Sequence, residues 1–173
     1  MESNQSDRKR YIIIEHMEDY MYEWCRFEYT QMAKYISPSP SLYLILTNTE
    51  CMSTATEDEN TTNLADFHSA VSELKMTSRV ILLPKSVKQL LSQGTESEKF
   101  FEFNHELIDN NTPVKIPLKK ICMLDMRANS TLSHSDNIVF DAYLFGGILG
   151  DHPPKDRAKV LRDDGYTIRQ LGT

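Results

Sequence analysis

Four short apolar runs constrain the fold of this chain more than any other feature. They are Tyr11-Ile12-Ile13-Ile14, Leu42-Tyr43-Leu44-Ile45-Leu46, Ile121-Cys122-Met123-Leu124 (with Lys120 at its start) and Ile138-Val139-Phe140-Asp141-Ala142-Tyr143-Leu144-Phe145. The first three are continuous where a half-exposed strand would alternate. A continuous run rich in β-branched residues suits a strand buried on both faces, which is the state of strands in a parallel sheet. Between the first two runs lies a stretch with helical periodicity. Parallel neighbours need a crossover of that kind, so strand, helix and strand from Tyr11 to Leu46 form a βαβ unit. The expected class is α/β: a mostly parallel sheet with helices on both faces.

The helical stretch covers residues 18–36. Asp19, Glu23, Arg26, Thr30 and Lys34 share one polar face, and Met17, Tyr20, Met21, Trp24, Phe27, Met32 and Tyr35 cover the other. Glu28 projects from the middle of that apolar face, where a buried carboxylate needs a partner. Ser37-Pro38-Ser39-Pro40 stops the helix. Residues 47–63 read as an exposed, Thr-rich acidic loop, and Leu64 to Lys75 as helix. Val80-Ile81-Leu82-Leu83 fits either a strand or a helix lead-in, and Val87 to Ser92 reads as helix. Residues 94–119 mix charge, Phe100, Phe101 and Phe103 with a turn-like Asp109-Asn110-Asn111-Thr112-Pro113. The whole of 47–119 is expected to be an elaboration on the domain. Lys155 to Asp164 is expected to be helical, with Pro154 in its first turn and Gly165 as its cap. Tyr166 to Leu171 is a last strand. Residues 1–10 read as a disordered leader, and 11–173 as a single domain.

The 173 residues allow one domain with a real core. A net charge of -6 argues against a large nucleic-acid footprint and fits a basic partner. Three cysteines, Cys25, Cys51 and Cys122, make neither a disulfide framework nor a thiolate zinc site, and read as small buried residues in a reducing compartment. No apolar run reaches membrane-spanning length, and residues 1–10 lack the apolar core of a signal peptide, so a cytoplasmic location is expected. The five histidines show no metal-ligand spacing, and no metal is expected. His16 and His152 fall at strand ends, as site residues or as ordinary loop residues.

Polar groups gather where strands end: Glu15 and His16, then Asp125 and Arg127, then Gly146-Gly147-Ile148-Leu149-Gly150-Asp151-His152-Pro153-Pro154-Lys155-Asp156-Arg157. In open parallel sheets ligands sit beyond the carboxyl ends of strands. The glycine loop matches neither the dinucleotide fingerprint nor the Walker phosphate loop, so neither a nicotinamide nor a nucleoside triphosphate is favoured. From the residues alone it is either a ligand loop or a tight turn whose helix Asp151 caps.

Three blocks carry a resemblance to a known family. They are Tyr11-Ile12-Ile13-Ile14-Glu15-His16-Met17-Glu18 followed by Glu23-Trp24 and Glu28-Tyr29; Cys122-Met123-Leu124-Asp125-Met126-Arg127-Ala128; and Phe140-Asp141 with Phe145 running through the glycine loop to Arg157. On these the chain resembles the SPOUT methyltransferase superfamily, in the branch of a fungal ribosomal-protein arginine methyltransferase. The resemblance implies an α/β-knot with a C-terminal trefoil knot and S-adenosylmethionine as cofactor. The cofactor residues it implies are Gly146, Gly147, Leu149, Gly150, Asp151, His152, Leu171 and Gly172, with Asp125 and Arg127 on the preceding strand end. In the family, the last strand's Leu-Gly is followed by a segment containing Gln-Met and Thr-Asp-Thr-Ala and then a helix. This sequence ends at Thr173, so the knot is expected to be incomplete and the domain C-terminally shortened.

The function expected is an S-adenosylmethionine-dependent protein-arginine N-methyltransferase acting on a basic protein, with a small-subunit ribosomal protein as a candidate. A guanidinium is cationic in water and a poor nucleophile, so carboxylates must orient it and remove a proton. Glu15 comes first for that role, Asp151 second and Glu28 third. The alternatives are an RNA methyltransferase of the same superfold and a catalytically inactive, truncated binding module.

Overall fold

The computed structural model of the chain describes residues 8–53, 62–92, 95, 98–104, 112–146, 156 and 158–172. In chain order its elements are β1 (Arg10–Glu15), α1 (Glu23–Ile36), β2 (Leu42–Thr47), α2 (Leu64–Glu73), β3 (Val80–Leu82), α3 (Val87–Leu90), β4 (Phe100–Phe103), β5 (Val114–Pro117), β6 (Ile121–Leu124), α4 (Asp136–Val139), β7 (Ala142–Gly146), α5 (Lys159–Arg162) and β8 (Thr167–Arg169). Six strands form one sheet in the order β3-β2-β1-β7-β6-β8, every neighbouring pair parallel. β4 and β5 form a separate antiparallel pair.

The continuous apolar runs divide between two cores, because successive strand residues point to opposite faces. Tyr11, Ile13, Ile45, Ile81, Met123 and Leu144 face a cluster shared with Phe101, Phe103, Val114 and Ile116 of the β4–β5 pair, Val87 of α3 and Leu161 of α5. Ile14, Leu44 and Leu46 face the other way, onto Cys25, Tyr29, Ala33 and Ile36 of α1 and Phe67 and Val71 of α2. Helices therefore lie on both faces, as expected. The segment read as an elaboration supplies core: Phe101 and Ile116 are buried in the first cluster. The exposed-loop reading of 47–63 also fails at its ends. Thr47, Thr49, Met52 and Thr62 are buried, and Thr49–Ser53 forms a 3-10 turn.

Two further expectations need correction. The helix starts at Glu23, and its inward face is Cys25, Tyr29, Ala33 and Ile36, while Trp24, Phe27, Glu28 and Tyr35 point to solvent. Small Cys25 and Ala33 let the backbone approach the sheet, a close fit that the bulkier aromatic stripe does not offer. Glu28 is thus a surface carboxylate, not a buried one. The fourth run is not all strand. Residues 136–139 form a helical turn, because the Asp136 carboxylate accepts from the Ser133 backbone N–H at 2.8 Å and from the Ser133 hydroxyl at 3.0 Å. Asp141 then pairs with Arg8 before β7 begins.

Two substitutions on α1 test which face is inside. Ile36→Ala is expected to cost about 2–5 kcal/mol in urea unfolding. Tyr35→Ala, one residue away, is expected to stay within about 0.5 kcal/mol.

Candidate active site

The strand order contains a reversal. After β1 the chain turns to β2 on one side; β7, on the other side of β1, leads to β8 beyond β6. Connections that leave neighbouring parallel strands in opposite directions open a crevice at their carboxyl ends. The residues at that point are Glu15 and Gly146, paired in register.

Glu15 is 6% exposed. Its Oε2 accepts from the Val87 backbone N–H at 2.9 Å and from the Thr47 hydroxyl. One carboxylate thereby joins the ends of β1 and β2 to the first turn of α3. Burial pushes its pKa up, against the lowering effect of those two hydrogen bonds. Gly146 stands beside it because a Cβ there would come within 3.1 Å of Leu161 Cδ1 and 3.2 Å of Ala158 Cβ. The missing side chain lets α5 lie against the strand end.

His16 is a buried core histidine. Its Nε2 lies 3.1 Å from the Tyr20 carbonyl, which can only accept, so Nδ1 accepts from the Tyr29 hydroxyl at 2.8 Å. The ring pins the turn between β1 and α1 to the core. Asn48, at φ 59°, donates from its side chain to the His16 carbonyl at 2.7 Å and closes the same corner from β2.

Asp125 and Arg127 belong to an ion-pair network. The Asp125 carboxylate accepts from Arg162 and, at 2.8 Å, from the Arg127 backbone N–H. Asp156 takes both Arg162 and Arg127. Hydrogen bonding to Arg162 leads the effects that hold the Asp156 carboxyl below the usual carboxylate range. The network ties the end of β6 to α5. Leu171 is 67% exposed, and Gly172 has a φ of 85° that few other residues adopt. Both lie beside residues 130–132, with the Leu132 N–H donating to the Gln170 carbonyl at 2.7 Å. Leu171, Leu124, Phe145, Ile12, Ser133 and His134 line part of an apolar cleft of about 460 Å3. Leu124, Phe145 and Leu171 directly precede Asp125, Gly146 and Gly172 in the chain.

Gly147, Leu149, Gly150, Asp151 and His152 lie outside the described residues. Among the described residues no group of three or more His, Cys, Asp or Glu side chains is placed to hold a metal ion. Sequence reasoning placed Asp156 in the glycine loop and missed Thr47, Arg162 and Tyr166. The Tyr166 hydroxyl is buried without a partner among the described residues, and burial leads the effects that raise its pKa, with the Asp164 and Glu15 carboxylates adding to it. Thr47 is signalled by its place at the end of the second apolar run. No local pattern marks the other two.

A parallel α/β domain with its crevice at the strand-order reversal is a fold many enzymes share, and the comparison with known proteins narrows it. Residues 11–173 match the family described as "Protein arginine N-methyltransferase SFM1-like", and the chain belongs to that family. It is 33% identical over 150 residues to Protein arginine N-methyltransferase SFM1 of Saccharomyces cerevisiae, an alignment that covers 87% of this chain and 55% of the relative. The crystal structure of the yeast arginine methyltransferase SFM1 complexed with SAM superposes with a TM-score of 0.59 at 27% identity, over 98% of this chain and 62% of that one. The complex of the same enzyme with SAH gives 0.56 at 28% identity, over 97% and 65%. The chain thus spans about half the length of the curated relative it matches. This is the branch that the three sequence blocks indicated.

His16 makes the fold sensitive to acid. Burial leads the effects on its pKa and lowers it, although the Tyr20 carbonyl and Glu18 act to raise it. The unfolded chain therefore takes up the proton first. The stability from the neutral ring is complete above the ordinary value of about 6.5 and declines as the pH falls below it. Urea midpoints between pH 7 and 5 are expected to fall for the wild-type protein. His16→Gln is expected to be less stable at pH 7 and to show a shallower decline.

Proposed function

We propose that this chain carries the cofactor site and arginine-accepting site of an S-adenosylmethionine-dependent protein-arginine N-methyltransferase. The observation that carries the reading is Glu15 paired with Gly146 at the strand-order reversal, in a chain of the SFM1-like family. The residues present fit the cofactor. The walls formed by Ile12, Leu124, Phe145 and Leu171 suit a flat heteroaromatic ring, and Ser133, His134 and Asn137 add polar groups at one side. Leu171, Gly172, Gly146, Asp125 and Arg127 would hold it, with Gly147, Leu149, Gly150, Asp151 and His152 from the adjoining loop. Asp125 and Arg127 act here through the network that fixes the end of β6. When bound, S-adenosylmethionine supplies an electrophilic methyl group on its sulfonium.

The carboxylates serve the other reactant. Glu15 lies in a poorly solvated place that raises its proton affinity, which suits a group that holds a guanidinium and accepts the proton it loses. Asp151 is the second carboxylate proposed for this work. The substrate is a basic protein, with a ribosomal protein as the leading candidate. Buried free thiols at Cys25 and Cys122, with pKa values pushed up by burial to about 12 and about 11, support a reducing, cytoplasmic setting. No helix among the described residues is long and apolar enough to cross a membrane.

Titration calorimetry with S-adenosylmethionine tests the cofactor half. Saturable binding is expected, and Leu171→Asp is expected to weaken it at least tenfold (about 1.4 kcal/mol) while leaving the melting temperature unchanged. Transfer of a labelled methyl group to an arginine-containing basic peptide tests the other half. Glu15→Gln keeps an acceptor for Thr47 and Val87, and is expected to lower kcat by about 10²–10⁴-fold with cofactor affinity retained. Absence of cofactor binding in the wild-type chain overturns the proposal.

A further inference from the structure

The first turns of α1 and the bend before it carry exposed aromatic and acidic side chains. Trp24 is 38% exposed, Phe27 57% and Tyr20 38%. Their sequence positions place Trp24 and Phe27 on the side of α1 opposite Cys25 and Tyr29. Tyr22 and Trp24 stack with ring centroids 6.4 Å apart and planes 9° apart, so the indole is held as a flat platform. Carboxylates stand among these rings. Residues 18–28 hold Glu18, Asp19, Glu23 and Glu28 against the single cation Arg26, which is itself paired with Glu23. The surface is also fixed in place. His16 anchors the Tyr20 carbonyl, and the Met21 carbonyl accepts from the Thr62 N–H at 2.7 Å. It begins directly after Glu15 and His16, at the sheet end that holds the candidate site.

From this geometry we infer that the Tyr20–Glu28 surface docks an arginine-rich segment of the protein substrate, flanking the residue to be methylated. Guanidinium planes stack on indole and phenyl faces and pair with carboxylates at their edges, so aromatic rings interleaved with acids suit arginine better than lysine. An acidic or nucleic-acid partner meets repulsion from the same carboxylates. The inference deepens the methyltransferase reading and rests on it for the name of the segment, whereas the docking itself requires no cofactor.

Trp24 is the only tryptophan in the chain, so its fluorescence reports this surface alone. A short peptide with several arginines, added without cofactor, is expected to change the emission saturably, more weakly at high salt. The lysine version is expected to bind about tenfold less tightly. The paired change Phe27→Ala and Glu23→Gln leaves the reporter in place. It is expected to weaken the peptide about tenfold, raise its KM in methyl transfer and leave kcat unchanged, with transfer to a single blocked arginine unaltered. Equal binding of arginine and acidic peptides, preferential binding of an RNA oligonucleotide, quenching that follows self-association of the protein, or an unaltered KM in the variant would each overturn the docking surface. Failure of methyl transfer alongside a normal Trp24 titration would remove the enzymatic reading and leave the docking intact.

Discussion

The seam between β1 and β7 is the constraint on which the rest of the structure depends. Tyr11 through Glu15 pair with Ala142 through Gly146 in parallel register, and both strands are central in the sheet. Residues on one side of this seam meet the β4–β5 pair, and those on the other meet α1 and α2. A slip of one residue would exchange every side chain between those environments, so burial on both faces fixes the register. That register sets Glu15 beside Gly146.

Polar groups at the top of the seam are arranged so that few stand alone. Glu15 has Thr47 and Val87, and His16 has Tyr29 and the Tyr20 carbonyl. The same low-polarity surroundings that make these groups costly to bury shift their protonation, upward for Glu15 and downward for His16. Both shifts favour the neutral form. Glu15 becomes a better proton acceptor than a surface glutamate, and His16 becomes a fixed strut. On the neighbouring strand end, Arg162, the last residue of α5, pairs with both Asp125 and Asp156 and so ties α5 to the end of β6.

The sheet was largely legible in the sequence, because continuous β-branched runs leave few alternatives to buried parallel strands. Leu42 to Leu46 and Ile121 to Leu124 are strands as read. Where the reading failed, tertiary packing outweighed local pattern. Aromatic residues on α1 mimic a core stripe, yet Cys25 and Ala33 decide which side can approach the sheet. Ile138 and Val139 carry strand propensity, but Asp136 and Ser133 close a helical turn around them. The core role of Phe101 and Ile116 was hidden because their strands are only four residues each, too short for the alternation of buried and exposed positions to decide the assignment. At the site, Glu15 and Gly146 could be found as strand-end residues. Tyr166 and Arg162 could not, since only the folded chain brings them near.

The central seam also has a consequence for how the protein comes into being. Arg10 bonds to the Asn137 carbonyl 127 residues further on, and the β1–β7 pairing spans a similar distance. Contacts so distant along the chain are slow to form, because a long loop must close before any of them stabilises the fold. During synthesis, β1 can pair with β2 early, yet its other edge stays open until β7 has emerged. The backbone groups of Tyr11 and Ile13, which point toward β7, lie on an unpaired strand edge for that interval, which is a template for pairing with another chain. The β1 edge is therefore the place where a nascent or heat-stressed molecule is most exposed to misassembly.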